Sequence, residues 1–364
     1  MPVSYDVVSA DSHVIEPHDL WQTYTVERFR GRAPRLVHEE TTDRLVCDGA
    51  KLPPVGLLAG VMRTDDQVRA KGRWDEDVYP GGWDPDIRKE ALARDGVDAE
   101  ILYPTIAMQL YPIADVDFQW ALFEAYNTWL SEFVARRPDR FFGIALLSPD
   151  DLDHCVAELA RARRTGLSGV MIPVIRGEGI PYWDPGYDRL WAAAVAEGLP
   201  VSLHAATSRD PEKRWDVKSA ALSVLQTTEI EHVLLELIYA GVFDRHPELR
   251  IVSAENDAGW AGHMLERADY WFHRNRQLLT DIRCERPPSE YYHANIRATF
   301  MRDRTAVLAR EVIGTDTLMW GNDFPHHVST WPESKRLLDE QLADQPDDVR
   351  HAIVSGNVRA LYGF

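Results

Sequence analysis

The sequence of 364 residues has few cysteines and contains no long apolar run. Its three cysteines, Cys47, Cys155 and Cys284, are far apart and form no C-x-x-C pair, which argues against a cysteine-based zinc site and fits free thiols in a reducing compartment. No stretch of about 18 uninterrupted apolar residues could cross a bilayer. The first residues lack the basic-then-apolar pattern of a signal peptide. We therefore expect a cytoplasmic protein.

Positive charge is also scarce relative to negative charge. There are 40 Lys and Arg against 58 Asp and Glu, which leaves a net charge of -18. A strongly acidic surface repels phosphate backbones and anionic lipids, so we expect no nucleic-acid partner and no membrane partner. A small-molecule substrate is the expected partner, and a homodimer is compatible with the composition.

Short apolar runs without polar alternation recur between helix-length amphipathic segments. Such runs are typical of parallel strands buried on both faces, and eight of them in one chain predict an α/β fold, a (β/α)8 TIM barrel formed by one domain over residues 1–364. The predicted strands are residues 5–10, Ala99–Pro104, Phe141–Leu147, Ser168–Pro173, Leu199–His204, Leu249–Ala254, Ile296–Met301 and Thr317–Gly321.

A long insertion follows the first strand, over about residues 21–86. It is too long for an ordinary connection and contains a predicted hairpin, Arg44–Pro53, and an aromatic, basic segment. Long loops of this kind are often functional, so we expect a lid over the barrel mouth, with a dimer arm or a purely structural excursion as alternatives.

Ionisable side chains stand at the ends of several predicted strands. Asp11 and His13 end the first strand and, being two residues apart, should point to the same side. His204 ends the fifth strand, Glu255 follows the sixth and Asp323 follows the eighth. Strand ends meet at the catalytic face of a barrel, where buried carboxylates without a cation would be costly. The pattern therefore predicts a divalent-metal site.

Two further residues, His326 and Glu16, are within reach of this predicted site as additional ligands. Among all the candidates, we expect catalytic roles for Asp323, His326 and Glu255, as proton carriers or metal-bridging groups.

Three longer motifs carry a resemblance to a known family: V-V-S-A-D-S-H-V-I-E-P-H-D-L-W at the start, W-G-N-D-F-P-H after the eighth strand, and the terminal G-N-V-R-A-L-Y-G-F. Together they resemble the amidohydrolase-related (amidohydrolase 2 type) barrels. The resemblance implies a metal held by Asp11, His13, His204 and Asp323. Hydrolytic members usually begin with H-x-H, and decarboxylating members use a histidine on the sixth strand. Glu255 stands at that position here, which argues against simple decarboxylation.

The D-S-H-V-x-E-P opening is also similar to a subgroup of barrel-fold non-haem diiron monooxygenases that act on CoA-linked substrates. A carboxylate-rich ligand set suits iron, so this first interpretation has two iron ions, O2 as co-substrate and a hydrophobic, CoA-linked acyl substrate. Trp74, Trp83 and Trp320 would line the substrate pocket, and Arg209 would contact the CoA phosphates.

An alternative interpretation keeps one zinc or manganese ion and makes the protein a hydrolase or a decarboxylase, with Asp323 or His326 as general base. A third, a metal-stabilised binding protein, has less support because structural metal sites do not usually gather at a barrel mouth.

Overall fold

The computed structural model describes residues 5–58, 60–213 and 220–364. Within these ranges, eight parallel strands form one sheet in the order β1-β5-β6-β7-β8-β9-β10-β11, and three antiparallel strands form a second sheet, β2-β3-β4. In chain order the strands are β1 (Val8–His13), β2 (Arg35–His38), β3 (Asp43–Cys47), β4 (Ala50–Pro54), β5 (Ala99–Tyr103), β6 (Phe141–Leu146), β7 (Gly169–Ile175), β8 (Val201–Ser208), β9 (Ile251–Ala254), β10 (Ile296–Phe300) and β11 (Leu318–Trp320).

The large sheet curls until its two edge strands meet. The backbone N–H of Asp323, just past β11, donates to the Asp11 carbonyl at 2.9 Å, and the N–H of His13 donates to the Phe324 carbonyl at 2.7 Å. A glycine is needed just after β11, where the chain passes close to β1, because a Cβ on Gly321 would lie 2.6 Å from the Cβ of Asp11. These contacts nearly close the barrel, which confirms the predicted fold.

Helices connect the strands and cover the outside of the barrel. Asp115 and Asp151 cap two of them through their carboxylates, and Gly96 and Gly198 end two others with positive φ, as glycines do at helix C-termini. The longer helices are Pro85–Asp95, Val116–Ala135, Leu152–Arg164, Asp188–Glu197, Thr227–Tyr239, Trp260–Asn275, Pro288–Asn295 and Ser334–Gln341. Shorter helices include Leu20–Tyr24, Arg304–Leu308, Arg310–Ile313, Asp347–His351 and Asn357–Tyr362. Among the described residues, no helix is both long and apolar enough to cross a membrane.

Six of the eight predicted barrel strands agree with the observed ones within two residues at each end, and the strand predicted as Leu199–His204 is observed as Val201–Ser208, four residues longer at its end. The first differs: residues 5–10 were predicted, whereas β1 runs from Val8 to His13. Every residue of β1 is buried, including the polar Asp11 and His13, so hydropathy alone ends the strand too early.

The insertion between β1 and β5 contains the small antiparallel sheet. The predicted hairpin is present as β3 and β4, joined at Asp48 and Gly49, which both have positive φ as a tight two-residue turn requires. Pro53 reaches the cavity described below, and Gly60 packs against His327, where an added Cβ would lie 2.4 Å from the His327 Cβ. Part of the insertion thus lies at the barrel mouth, while its role as a lid stays a prediction.

We expect Gly321→Ala to destabilise the protein by about 1–3 kcal/mol, because the new methyl group would force β1 and β11 apart. Gly31→Ala is the matched control: Gly31 has φ -65 and nothing within 4 Å of an added Cβ, so its effect should stay within about 0.5 kcal/mol. Urea unfolding of the three proteins measures both values. Equal stability of the two variants would contradict the close seam.

Candidate metal centre

The structure gathers five of the predicted ligands at the mouth of the barrel. The Nε2 atom of His13 lies 3.7 Å from Asp11 Oδ1, 3.6 Å from Glu255 Oε2 and 3.4 Å from Asp323 Oδ1. The Nε2 atom of His204 lies 3.6 Å from Asp11 Oδ1 and 3.4 Å from Glu255 Oε2. These separations are too long for good hydrogen bonds but suit atoms that share one ion.

Four buried atoms in this cluster make no hydrogen bond: Asp11 Oδ1, His13 Nε2, His204 Nε2 and Asp323 Oδ2. Polar atoms buried without a partner are costly, and here they come from four side chains at one place. Two nitrogen donors with two carboxylate donors match what a divalent transition metal prefers. The residues present therefore fit a metal ion.

Hydrogen bonds behind the cluster orient both imidazoles. His13 Nδ1 lies 2.8 Å from the Pro104 carbonyl, and His204 Nδ1 lies 2.9 Å from the Ala205 carbonyl. A carbonyl only accepts, so each Nδ1 carries a proton and each Nε2 is the atom left to bind a metal. This arrangement is the usual support for a histidine that binds a metal.

The cluster also perturbs the acidities of its members. Burial, reinforced by the nearby Asp323, raises the pKa of Glu255 to about 8, and burial together with Asp11 raises the pKa of Asp323 well above its ordinary value. Burial disfavours the cation of His204, but attraction to the side chains of Asp11 and Glu255 outweighs it and raises the pKa of His204 to about 9. Burial lowers the pKa of His13. Without a cation, the site therefore retains protons, and a metal would displace the one on its ligand His204.

Backbone strain is concentrated at the same strand ends. Ala206, Glu255, Asp257 and Asp323 all have φ between 52° and 60°. That region is unfavourable for residues with a Cβ and persists only where the surroundings impose it. The positive φ values turn the chain sharply at the ends of strands and fix the direction of the side chains there.

The two additional candidate ligands already have partners within the protein. His326 contacts Asp323 Oδ1 through Nδ1 at 2.8 Å and the Thr105 hydroxyl through Nε2 at 3.0 Å. Glu16 accepts backbone N–H bonds from Ile106 and Ala107, both at 2.8 Å. His326 remains beside the cluster, whereas the Glu16 carboxylate is engaged in holding the loop after β5.

A cavity of about 470 Å³ opens above the cluster, a size that suits a small ligand. The four predicted substrate contacts do not line it. Trp74 and Trp83 stack on each other within the insertion, with ring centroids 5.8 Å apart, and Trp320 is buried in β11. The Arg209 guanidinium binds Asp150 and the Tyr111 carbonyl. The described residues that line the cavity include Asp11, Pro53, Thr105, Met108, Gln109, Gln226, Glu255, Asp257, Thr299, Phe300, Met301, Asp323, His326, His327 and Val328.

Two polar residues that line this cavity, Thr105 and Thr299, were not named from the sequence. Each stands at the end of a predicted strand or within three residues of one, so the rule that found the ligands could have found them too. Threonine was overlooked because it is also common inside strands for its β-branched shape.

The family model named Amidohydrolase matches residues 13–364. The chain belongs to the amidohydrolase family. This agrees with the resemblance in the sequence motifs and with the prediction of a metal-dependent enzyme.

Several of the similar proteins are decarboxylases. A gamma-resorcylate decarboxylase from Rhizobium radiobacter is 29% identical over 226 residues, which cover 56% of this chain and 67% of that protein. The crystal structure of a 5-carboxyvanillate decarboxylase from Sphingomonas paucimobilis has a TM-score of 0.71 at 20% identity, covering 99% of this chain and 100% of that one. A dihydroxybenzoic acid decarboxylase from a Polaromonas species, with bound manganese and 2-nitroresorcinol, has a TM-score of 0.66 at 18% identity, covering 99% and 97%.

These findings correct the first interpretation. The prediction of a diiron monooxygenase is wrong, because the relatives are decarboxylases. The expectations of O2 as co-substrate and of an acyl-CoA substrate depended on that prediction and have no support. Two irons are not supported either, since the structures of relatives contain manganese. The physical source of the error is Glu255: a carboxylate at this place can bridge two metals or carry a proton, and its residue type alone does not distinguish the two.

We expect metal binding to release about one proton per ion near neutral pH, because in the metal-free site the ligand His204 holds a proton that a cation must displace. Affinity for Mn²⁺ should therefore rise as the pH increases from neutral towards about 9, where the pKa of His204 lies. Calorimetric titration in two buffers with different ionisation enthalpies counts the protons. A heat that does not depend on the buffer would contradict this expectation.

Proposed function

We propose that this protein is a metal-dependent decarboxylase of small aromatic or conjugated carboxylic acids, a reaction that needs no oxidant. The observation that carries the proposal is the set of buried, unpartnered atoms of Asp11, His13, His204 and Asp323 at the base of a cavity of about 470 Å³. The similarity to decarboxylases of aromatic acids supports the same chemistry.

Asp11, His13, His204 and Asp323 would hold one divalent cation, and manganese is the first choice because structures of relatives contain it. Such an ion would supply a Lewis acid that binds substrate oxygens and stabilises negative charge. The protein's part is to fix the ligands in advance, through the carbonyl contacts of the two imidazoles.

The walls of the cavity fit a flat, mostly apolar substrate. Phe300, Met301, Met108, Pro53 and Val328 supply apolar surface. An aromatic ring packed there would displace water from the reacting carbon, which favours loss of a neutral CO2 molecule from a carboxylate.

Decarboxylation breaks one C–C bond, releases CO2 and leaves an electron pair on carbon, which must then receive a proton. We assign the proton to Glu255. Its side chain is 29% exposed, lines the cavity and lies within 3.6 Å of both imidazoles. Burial already favours its protonated form in the metal-free protein, as a proton donor requires. A carboxyl group would thus act at the place where the family resemblance implies a catalytic histidine.

The decisive experiment is anaerobic turnover of Mn²⁺-loaded protein with a panel of hydroxy-substituted benzoates, run in D2O. We expect CO2 release without oxygen, and one deuterium in the product at the carbon that lost CO2. Release of CO2 only in the presence of O2, or hydrolysis of ester or lactone substrates with no release from any acid tested, would contradict the proposal.

Glu255→Gln tests the proton assignment. It keeps the shape of the side chain but cannot donate a proton, so turnover should fall by about 10²–10⁴-fold while one metal per chain remains. Asp323→Asn is the contrasting variant, which should lose both the metal and activity. If Glu255→Gln retains full activity, another group carries the proton; if it loses the metal, Glu255 is a ligand instead.

A further inference from the structure

The hydroxyl of Thr299, in β10, connects two carboxylate residues of the cluster, Asp11 and Glu255. Thr299 is fully buried. Its Oγ1 lies 2.6 Å from Asp11 Oδ2 and 2.8 Å from the backbone nitrogen of Glu255. One side chain from β10 therefore joins the end of β1 to the end of β9.

The direction of both hydrogen bonds is fixed by chemistry. The backbone N–H of Glu255 can only donate, so the Thr299 oxygen accepts from it. The single hydroxyl proton then goes to Asp11 Oδ2, because an ionised carboxylate only accepts. The hydroxyl thus has one orientation that satisfies both neighbours.

The bond to Asp11 determines which carboxylate oxygen faces the cluster. Oδ2 is occupied by the hydroxyl, whereas Oδ1 is buried without a hydrogen bond and lies 3.7 Å from His13 Nε2 and 3.6 Å from His204 Nε2. Free rotation of the carboxylate would exchange the two oxygens or allow both to face a cation. The hydroxyl prevents this and leaves one oxygen available.

The bond to Glu255 acts on a strained residue. Glu255 has φ 55, which a residue with a Cβ adopts only at a cost, and its N–H has the Thr299 hydroxyl as acceptor. The same φ turns the side chain so that Oε2 lies 3.4 Å from His204 Nε2. Losing the acceptor would remove one of the contacts that hold this turn.

We propose that Thr299 is a positioning residue of the metal centre: its hydroxyl makes Asp11 a one-oxygen ligand and holds the Glu255 backbone in the conformation that aims its carboxyl at the cluster. The assignment rests on the metal site proposed above but not on the reaction. Metal binding therefore tests it even if decarboxylation is not observed.

Three variants test it. Thr299→Val has nearly the same shape but no hydroxyl, and Thr299→Ser keeps the hydroxyl but loses the methyl group. Thr317→Val is the matched control: Thr317 is also fully buried, but its hydroxyl bonds the Ile313 and Gly314 carbonyls before β11, at the opposite end of that strand from Asp323. The measurement is Mn²⁺ titration of chelator-treated protein, with free Mn²⁺ read from its electron paramagnetic resonance signal.

We expect Thr299→Val to bind Mn²⁺ about 10–100-fold more weakly than wild type, and Thr299→Ser and Thr317→Val to stay within about threefold. Mn²⁺ affinity of Thr299→Val equal to wild type would overturn the role of the hydroxyl. So would a loss in Thr299→Ser as large as in Thr299→Val, because packing of the methyl group would then be responsible.

Should Thr299→Val not fold, Thr299→Ala and Thr299→Ser make the same comparison, since both lack the methyl group and only serine keeps the hydroxyl. Equal affinity of that pair would overturn the proposal. No Mn²⁺ binding by the wild type would overturn the metal site itself, a result distinct from the failure of any one catalytic assay.

Discussion

The mutual repulsion of carboxylates buried at the barrel mouth is the constraint on which the rest of the site depends. Asp11 and Asp323 are nearly inaccessible to solvent. Glu255 faces the same two imidazoles as Asp11, and Asp323 faces that of His13. Carboxylates crowded together in a place of low dielectric either keep their protons or need a cation to balance their charge. The raised pKa values of Glu255 and Asp323 show that the metal-free protein favours keeping the protons. A divalent ion would supply that cation instead.

A buried arginine, Arg88, lies near the barrel seam but does not balance the charge of the ligand cluster. Arg88 is fully buried and pairs with Glu100 at 2.6 Å. Its remaining donors contact backbone carbonyls, including that of His13 at 2.7 Å and that of Phe324 at 3.5 Å. The positive charge of Arg88 therefore neutralises Glu100 and holds the chain on both sides of the barrel seam. It does not enter the ligand cluster, whose charge remains for a metal to balance.

The barrel and the ligand cluster could be predicted from sequence because both follow from rules of position. Apolar runs buried on both faces mark parallel strands, and strand ends meet at one face whatever the loops between them do. The four substrate contacts were chosen by residue type and nearness in sequence, which do not fix side-chain direction. Trp320 is buried in β11, whereas the next residue, Gly321, lines the cavity. The Arg209 guanidinium binds Asp150 instead of facing the cavity. The activity could not be predicted either, because Glu255 fits more than one chemistry.

Backbone strain and charge repulsion at the site both connect metal binding to the stability of the fold. The positive φ values of Glu255 and Asp323 and the crowded carboxylates all disfavour the folded, metal-free state. What opposes them is a frame that does not include the metal: the β1–β11 seam at Gly321, the carbonyls that orient the imidazoles, and the Thr299 hydroxyl. A cation that binds only the folded protein adds its binding free energy to this frame. The barrel therefore forms the site in advance, and the ion relieves the charge repulsion that folding alone leaves in place.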